Sequence, residues 1–111
     1  MGAGPLEELG AAAAIGLLRD GALTSEALVR ACLDRIARDE PRLHAWAHLD
    51  PDCAIAEARA VDARRRPGPL HGLPVGIKDI IDTAGLPTEC GTPAYRGRRP
   101  TRDAASVTAL R

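Results

Sequence analysis

The chain is 111 residues long, 45% apolar and 27% charged, with 15 basic side chains matched by 15 acidic ones. That length carries one modest hydrophobic core, and the zero formal charge excludes a polybasic nucleic-acid tail and an acidic disordered segment. No stretch reaches the roughly 18 uncharged apolar residues of a membrane span, and Glu7 and Glu8 stand where a secretory signal carries Lys or Arg, so a cytoplasmic protein is expected.

Leu6, Leu9, Ala13 and Leu17 recur at helical spacing behind Pro5, a residue suited to a first helical turn, and Asp20-Gly21 supplies the stop. A second helix is expected from Thr24 or Ser25. Leu28, Val29, Cys32, Leu33 and Ile36 fall on one face, Arg30, Asp34, Arg35 and Asp39 on the other, and Pro41 is expected to end it. Leu43, Ala45, Ala47 and Leu49 then alternate with His44, Trp46 and His48, the period of a short half-buried strand. Asp50-Pro51 reads as the N-cap and first residue of a third helix carrying Ala54, Ile55, Ala58 and Val61, which dissolves at Arg64-Arg65-Arg66-Pro67.

Gly and Pro together number eight over residues 1–66 and twelve over 67–111, which marks a change of character between them. Val75 to Ile81 is short, β-branched and apolar apart from Lys78 and Asp79, as suits a strand covered on both faces. Residues 83–102 read as loop, and Asp103 is placed to cap a last helix whose Ala104, Val107 and Leu110 form an apolar face. The chain stops a few residues into that helix and reads as cut off. An open strand edge at 75–81 and the bare face of the last helix would make such a piece aggregation-prone.

Of the 15 basic residues 14 are Arg, and Lys78 is the sole Lys. Lysine can lose its proton when desolvated, whereas arginine effectively cannot, so a single Lys inside an apolar strand is a candidate for a neutral amine acting as a general base. On a pleated strand Asp79 points to the opposite face and is poorly placed to hold that amine charged, while Gly76 leaves room beside it. A lysine snorkelling from a strand end fits the same pattern.

The other chemistry-bearing residues form no recognisable set. Ser25 and Ser106 are the only serines, and neither lies in a Gly-x-Ser-x-Gly elbow. Cys90 and His71 could be imagined as a thiol–imidazole pair, but nothing fixes their geometry. His44 and His48 lack a nearby third ligand, so no metal is expected, and no glycine-rich fingerprint points to a cofactor. Cys32, Cys53 and Cys90 are odd in number without a CxxC, and are expected to be small buried apolar residues. Arg96, Arg98, Arg99 and Arg102, beside Tyr95, could meet phosphates or a carboxylate substrate or simply form a solvated loop; one aromatic in a neutral chain is a poor nucleic-acid footprint.

Residues 67–111 closely resemble the amidase signature family. The resemblance rests on Gly68-Pro69-Leu70-His71-Gly72-Leu73-Pro74-Val75-Gly76-Ile77-Lys78-Asp79, continues through Asp82-Thr83-Ala84-Gly85-Leu86-Pro87-Thr88 and Gly91-Thr92-Pro93, and ends in Pro100-Thr101-Arg102-Asp103-Ala104. It implies an α/β fold in which residues 1–111 are a truncated N-terminal portion of a mixed β-sheet flanked by helices. Residues 1–66 would be a helical region with one short strand, and 67–111 the strand carrying Lys78, a loop and the start of a helix. It also implies amide hydrolysis through an acyl-enzyme by a Ser–cisSer–Lys triad in which Lys78 is the neutral base. The serines and the oxyanion hole would come from a glycine/serine-rich segment not found in this sequence, so the 111 residues alone are expected to be inactive.

The substrate implied is a small-molecule amide, with no cofactor, no metal and no membrane or nucleic-acid partner; a homodimer is compatible with the reading. Two alternatives stand beside it. One is the amide-cleaving component (the A subunit) of a glutamine-dependent tRNA amidotransferase, with partner subunits and tRNA. The other is a non-catalytic helical interaction module.

Overall fold

Thr24 starts the longest element by accepting a hydrogen bond from the Ala27 amide at 3.1 Å, one of the donors that every helix N-terminus leaves unpaired. A computed structural model describes residues 4–64 and 68–111 of the chain and divides it into two compact units, residues 1–74 and 75–111. The change of character expected between residues 66 and 67 falls outside the described residues, as do Arg65, Arg66 and Pro67, where the third helix is expected to dissolve.

In the first unit a 3₁₀ turn, Leu6–Glu8, precedes α1 (Ala11–Arg19), α2 (Ser25–Leu43) and α3 (Pro51–Asp62). Leu6 to Leu17 therefore do not form one continuous helix: Leu9 and Gly10 are extended and break it. α2 packs against α3 and against the Leu6–Glu8 turn. Its apolar face buries Leu28 and Val29, and Leu28 joins Ala14 and Leu23 in a small core flanked by Leu6, Leu9, Leu17, Leu18, Cys32 and Leu73. With no Phe in the chain, this core is built of Ala and Leu alone.

Charged groups pin the helices at their ends. The Asp62 carboxylate, at the end of α3, accepts from the amides of Ser25 (2.7 Å) and Glu26 (3.0 Å), so α3 caps α2 from outside. Glu26 in turn accepts from Arg59 and Arg30; these hydrogen bonds, Arg59's first, hold its carboxyl below the ordinary range. The Ser25 hydroxyl donates to the Gly72 carbonyl at 2.8 Å and ties residues 68–74 to the start of α2. Gly72 has φ +80°, which favours glycine, and a Cβ there would sit a tight 3.2 Å from that of Ser25.

Pro41 does not end α2, which runs on to Leu43. In the last turn the missing amide costs one exposed bond, and the helix closes instead on His44, left-handed at φ 48°. The Glu40 carboxylate then accepts from the amides of Ala45 and Trp46 and turns the chain away. The strand expected over Leu43–Leu49 is therefore absent: its first residue belongs to α2, and Leu43 and Trp46 are exposed. α3 starts as expected, Asp50 accepting from the Cys53 amide with Pro51 at the first position.

The second unit holds a 3₁₀ turn, Pro93–Tyr95, and the short helix α4 (Ala105–Leu110). The α/β sheet expected for this chain is not present: among the described residues there is no β-strand. Over residues 75–81 the Ile81 amide donates to the Lys78 carbonyl at 2.9 Å, closing a turn, and Val75 and Ile80 are exposed. A strand is stabilised by neighbouring strands that complete its ladder, and among the described residues of this unit no strand pairs with residues 75–81. The strand edge expected to drive aggregation is accordingly missing.

Candidate functional site

Lys78 is the first residue of the turn that replaces the expected strand, and its side chain is exposed rather than buried. Among the described residues no hydrogen bond or ion pair reaches its amine. The adjacent Asp79 is half-buried and turned elsewhere. Its Oδ1 accepts from the Glu89 amide at 2.8 Å and its Oδ2 from the Gly91 amide at 3.2 Å, while its main-chain carbonyl accepts from the Cys90 amide at 3.0 Å. Three consecutive amides of one loop thus converge on one aspartate. The loop can present them because Cys90 and Gly91 are both left-handed, at φ 54° and 65°.

The same device recurs through residues 82–104. Asp103 Oδ1 accepts from the Ala84 amide at 2.7 Å, and the Glu89 carboxylate accepts from the Gly97 amide at 2.6 Å. Asp103 does not cap α4 as expected; Ala104 occupies that position without a side-chain bond, and Asp103 is spent on Ala84 and Arg111. Between these clasps the Thr88 amide donates to the Arg98 carbonyl and the Gly85 amide to the Pro100 carbonyl, both at 3.0 Å. Thr88, Thr83, Pro100 and Val107 are buried.

Arg98 holds the segment from the other side. Its two terminal nitrogens donate to the two Asp82 oxygens at 2.7 and 2.9 Å, a bidentate pair, and its guanidinium lies 5.9 Å from the Tyr95 ring centre. Arg99 donates to the Gly85 carbonyl at 2.7 Å. Arg98, Arg99 and Arg102, with Asp82, line an open depression of about 400 Å³. Two members of the expected basic cluster are therefore structural ties, and the surface is less cationic than the sequence alone reads.

The hydrogen bond from Arg98 holds the Asp82 carboxyl below the ordinary aspartate range. A carboxyl depressed in the folded state contributes stability above its unfolded pKa and loses that contribution as pH falls through the folded value. Acidification below about pH 4 is therefore expected to loosen the second unit. A lower protection factor at the Thr88 amide, whose donor bond lies beside this pair, would report it. Both partners are solvent-accessible, so salt is expected to blunt the difference. Unchanged Thr88 protection between pH 6 and pH 3 would contradict it.

The remaining candidates disperse. The Ser25 hydroxyl is committed to Gly72, and Ser106 is exposed on α4. His71 is half-buried in the first unit, and Cys90 lies exposed in the second. Of the three cysteines only Cys32 packs against the core as expected, its thiol pushed up first by burial and then by Glu7; Cys53 and Cys90 are exposed. His44 serves as the C-cap of α2, and His48 lies exposed on no strand. Among the described residues no three His, Cys, Asp or Glu side chains converge as metal ligands.

The model of the Amidase family matches residues 27–111, three quarters of the chain and all of the segment just described. The chain belongs to the amidase family. It is 45% identical over 109 residues to the A-type subunit of a glutamyl-tRNA(Gln) amidotransferase from Chloroflexus aggregans, covering 95% of this chain and 22% of that protein. The same-named protein from Salinispora arenicola is 42% identical over 110 residues, covering 96% of this chain and 22% of the relative. A Mycobacterium bovis protein provisionally named amidase AmiD is 41% identical over 99 residues, covering 86% and 21%. No solved structure matches.

The amidase-family chain thus spans about a fifth of the length of the curated relatives it matches. No helix of the described residues is long and apolar enough to cross a membrane. What the sequence did not reveal is the set of clasps by Asp79, Asp82, Glu89 and Asp103. Acidic residues scattered through a Gly/Pro-rich loop are the only signal, and that pattern does not say which partners they reach.

Proposed function

We propose that this chain supplies the proton-accepting lysine of an enzyme that cleaves amide C–N bonds, with Lys78 as the base. The observation that carries the reading is the disposition of Lys78: the chain's sole lysine stands on a clasped turn, and the nearest carboxylate in sequence is already occupied by amides of the 89–91 loop. Among the described residues no carboxylate is paired with the Lys78 amine, which leaves the side chain free to reach a reactant.

In the reaction, neutral Lys78 Nζ takes a proton relayed from a serine hydroxyl. That oxygen attacks the amide carbon, the C–N bond breaks as the leaving nitrogen receives a proton, and water releases the acyl group. Ser25 is structural and Ser106 lies exposed on α4 with no hydrogen bond to a described side chain, so both serines of the implied triad are assigned to polypeptide not contained in these 111 residues. Covering polypeptide would also desolvate the exposed lysine and favour the neutral amine.

A second reading is favoured by the names of the relatives from Chloroflexus aggregans and Salinispora arenicola: the amide cleaved is that of glutamine, within a glutamyl-tRNA amidotransferase. The test is to join this chain to the remaining four-fifths of the Chloroflexus aggregans relative, in place of its matching segment. The product is assayed for ammonia release from glutamine and from simple aryl amides. Turnover by the joined polypeptide and none by the 111 residues supports the reading, and the preferred amide separates its two forms. A well-folded joined polypeptide inert on every amide would overturn it.

A further inference from the structure

We propose that Asp79 is the positioning residue for Lys78, an inference that rests on the reading of Lys78 as the base. Lys78 and Asp79 are consecutive in one turn, closed by the bond from the Ile81 amide to the Lys78 carbonyl. A turn at the surface, with exposed residues on either side, has little packing to fix it: Val75, Gly76, Lys78 and Ile80 are all exposed. What fixes this one is Asp79. Both of its side-chain oxygens and its main-chain carbonyl are bound by the amides of Glu89, Cys90 and Gly91 at 2.8 to 3.2 Å, and the loop that donates them is itself held by the bond from the Gly97 amide to Glu89.

Two consequences follow for the neighbouring lysine. The peptide joining residues 78 and 79 is anchored on its C-terminal side by three bonds, so the Lys78 Cα is held while its side chain remains free to reach a reactant. The carboxylate nearest in sequence is also withheld. Swinging to the ammonium would strip the Glu89 and Gly91 amides of their acceptor, so the aspartate stays with the loop. Asp79 touches no reacting atom in this scheme and acts through Lys78.

The single lysine makes the test direct. The 111-residue chain, labelled with ¹³C and ¹⁵N in lysine only, gives one Lys78 backbone signal and one set of side-chain signals. A uniformly ¹⁵N-labelled sample reports amide exchange at Glu89, Cys90 and Gly91. Asp79→Ala is expected to speed exchange at Glu89 and Gly91 at least tenfold and to collapse the Lys78 amide toward its random-coil shift. Asp79→Asn keeps one acceptor oxygen and is expected to fall between wild type and Asp79→Ala. Asp103→Ala removes a carboxylate–amide clasp of the same kind at Ala84, and is expected to leave Lys78 unmoved.

In the joined polypeptide, Asp79→Asn is expected to lower kcat at least tenfold with KM changed less than twofold, the split expected when a base is misplaced and substrate binding is untouched. An unchanged Lys78 signal in Asp79→Ala, alongside faster exchange at Glu89 and Gly91, would overturn the proposal, as would a fall in kcat/KM carried wholly by KM. Lys78→Met tests the other reading separately. If that variant keeps full turnover, the base assignment fails, while the spectra still decide whether Asp79 holds Lys78.

Discussion

Replacing Lys78 with methionine is expected to lower amide turnover by the joined polypeptide about a thousandfold or more, and to leave the thermal melt of the 111-residue chain where it was. A general base contributes of order 10²–10⁴ to the rate, and the loss is larger where the base also activates the nucleophile. The side chain is exposed and makes no bond to another described residue, so its removal falls in the class of surface changes that shift stability by less than about 0.5 kcal/mol. Lys78→Arg separates base from charge. Arginine keeps the positive charge and length but cannot give up its proton at working pH, so it is expected to be as inactive as methionine. Turnover retained by the arginine variant would remove Lys78 from the proton path.

The largest expected loss of stability comes from Leu28→Ala. Leu28 is 3% exposed, at the point where α2 meets Ala14 of α1 and Leu23 of the connecting loop. Leu→Ala at such a site costs about 2–5 kcal/mol, the upper part of that range applying where neighbours cannot collapse into the gap. Its neighbours Ala14 and Leu23 are themselves buried, and the start of α2 is pinned by Asp62, which limits collapse. For a unit of some seventy residues each kcal/mol moves Tm by about 4–8 °C, so a drop above about 10 °C is expected by circular dichroism. Leu43→Ala is the control: at 53% exposed it removes little buried area, and is expected to shift the melt by no more than a degree or two. Similar losses for the two variants would show that the core is not where Leu28 sits.

The helices were legible because their signals are local. Thr24, Asp50 and Pro51 announce two N-termini, and the apolar period through Leu28 and Val29 fixes the buried face of α2. The two missing strands share one cause. The alternation at 43–49 and the β-branched run at 75–81 carry the pattern of strands, yet a strand exists only where other strands accept its hydrogen bonds, and that is not a property of the segment itself. At Leu43 a helix already satisfied by Glu40 took the first residue; at Lys78 a closed turn took the backbone. Lys78 stands out in the sequence by its solitude among arginines and by the motif around it, and its assignment as the base is the proposal made above. The part played by Asp79 was not legible. Its partners lie ten to twelve residues downstream, in a loop whose left-handed Cys90 no propensity would place.

The polar clasps of residues 75–111 carry a calorimetric consequence. The heat-capacity increment of unfolding grows with apolar area newly wetted and shrinks with polar area, and denaturant sensitivity follows total area exposed. A segment whose interior is Thr83, Thr88, Pro100 and Val107, fastened by carboxylates to amides, wets little hydrocarbon when it opens. Its free-energy curve against temperature should be nearly straight, with a shallow urea slope, while the leucine-lined helices of residues 1–74 should give the curved, steep response of an ordinary hydrocarbon core.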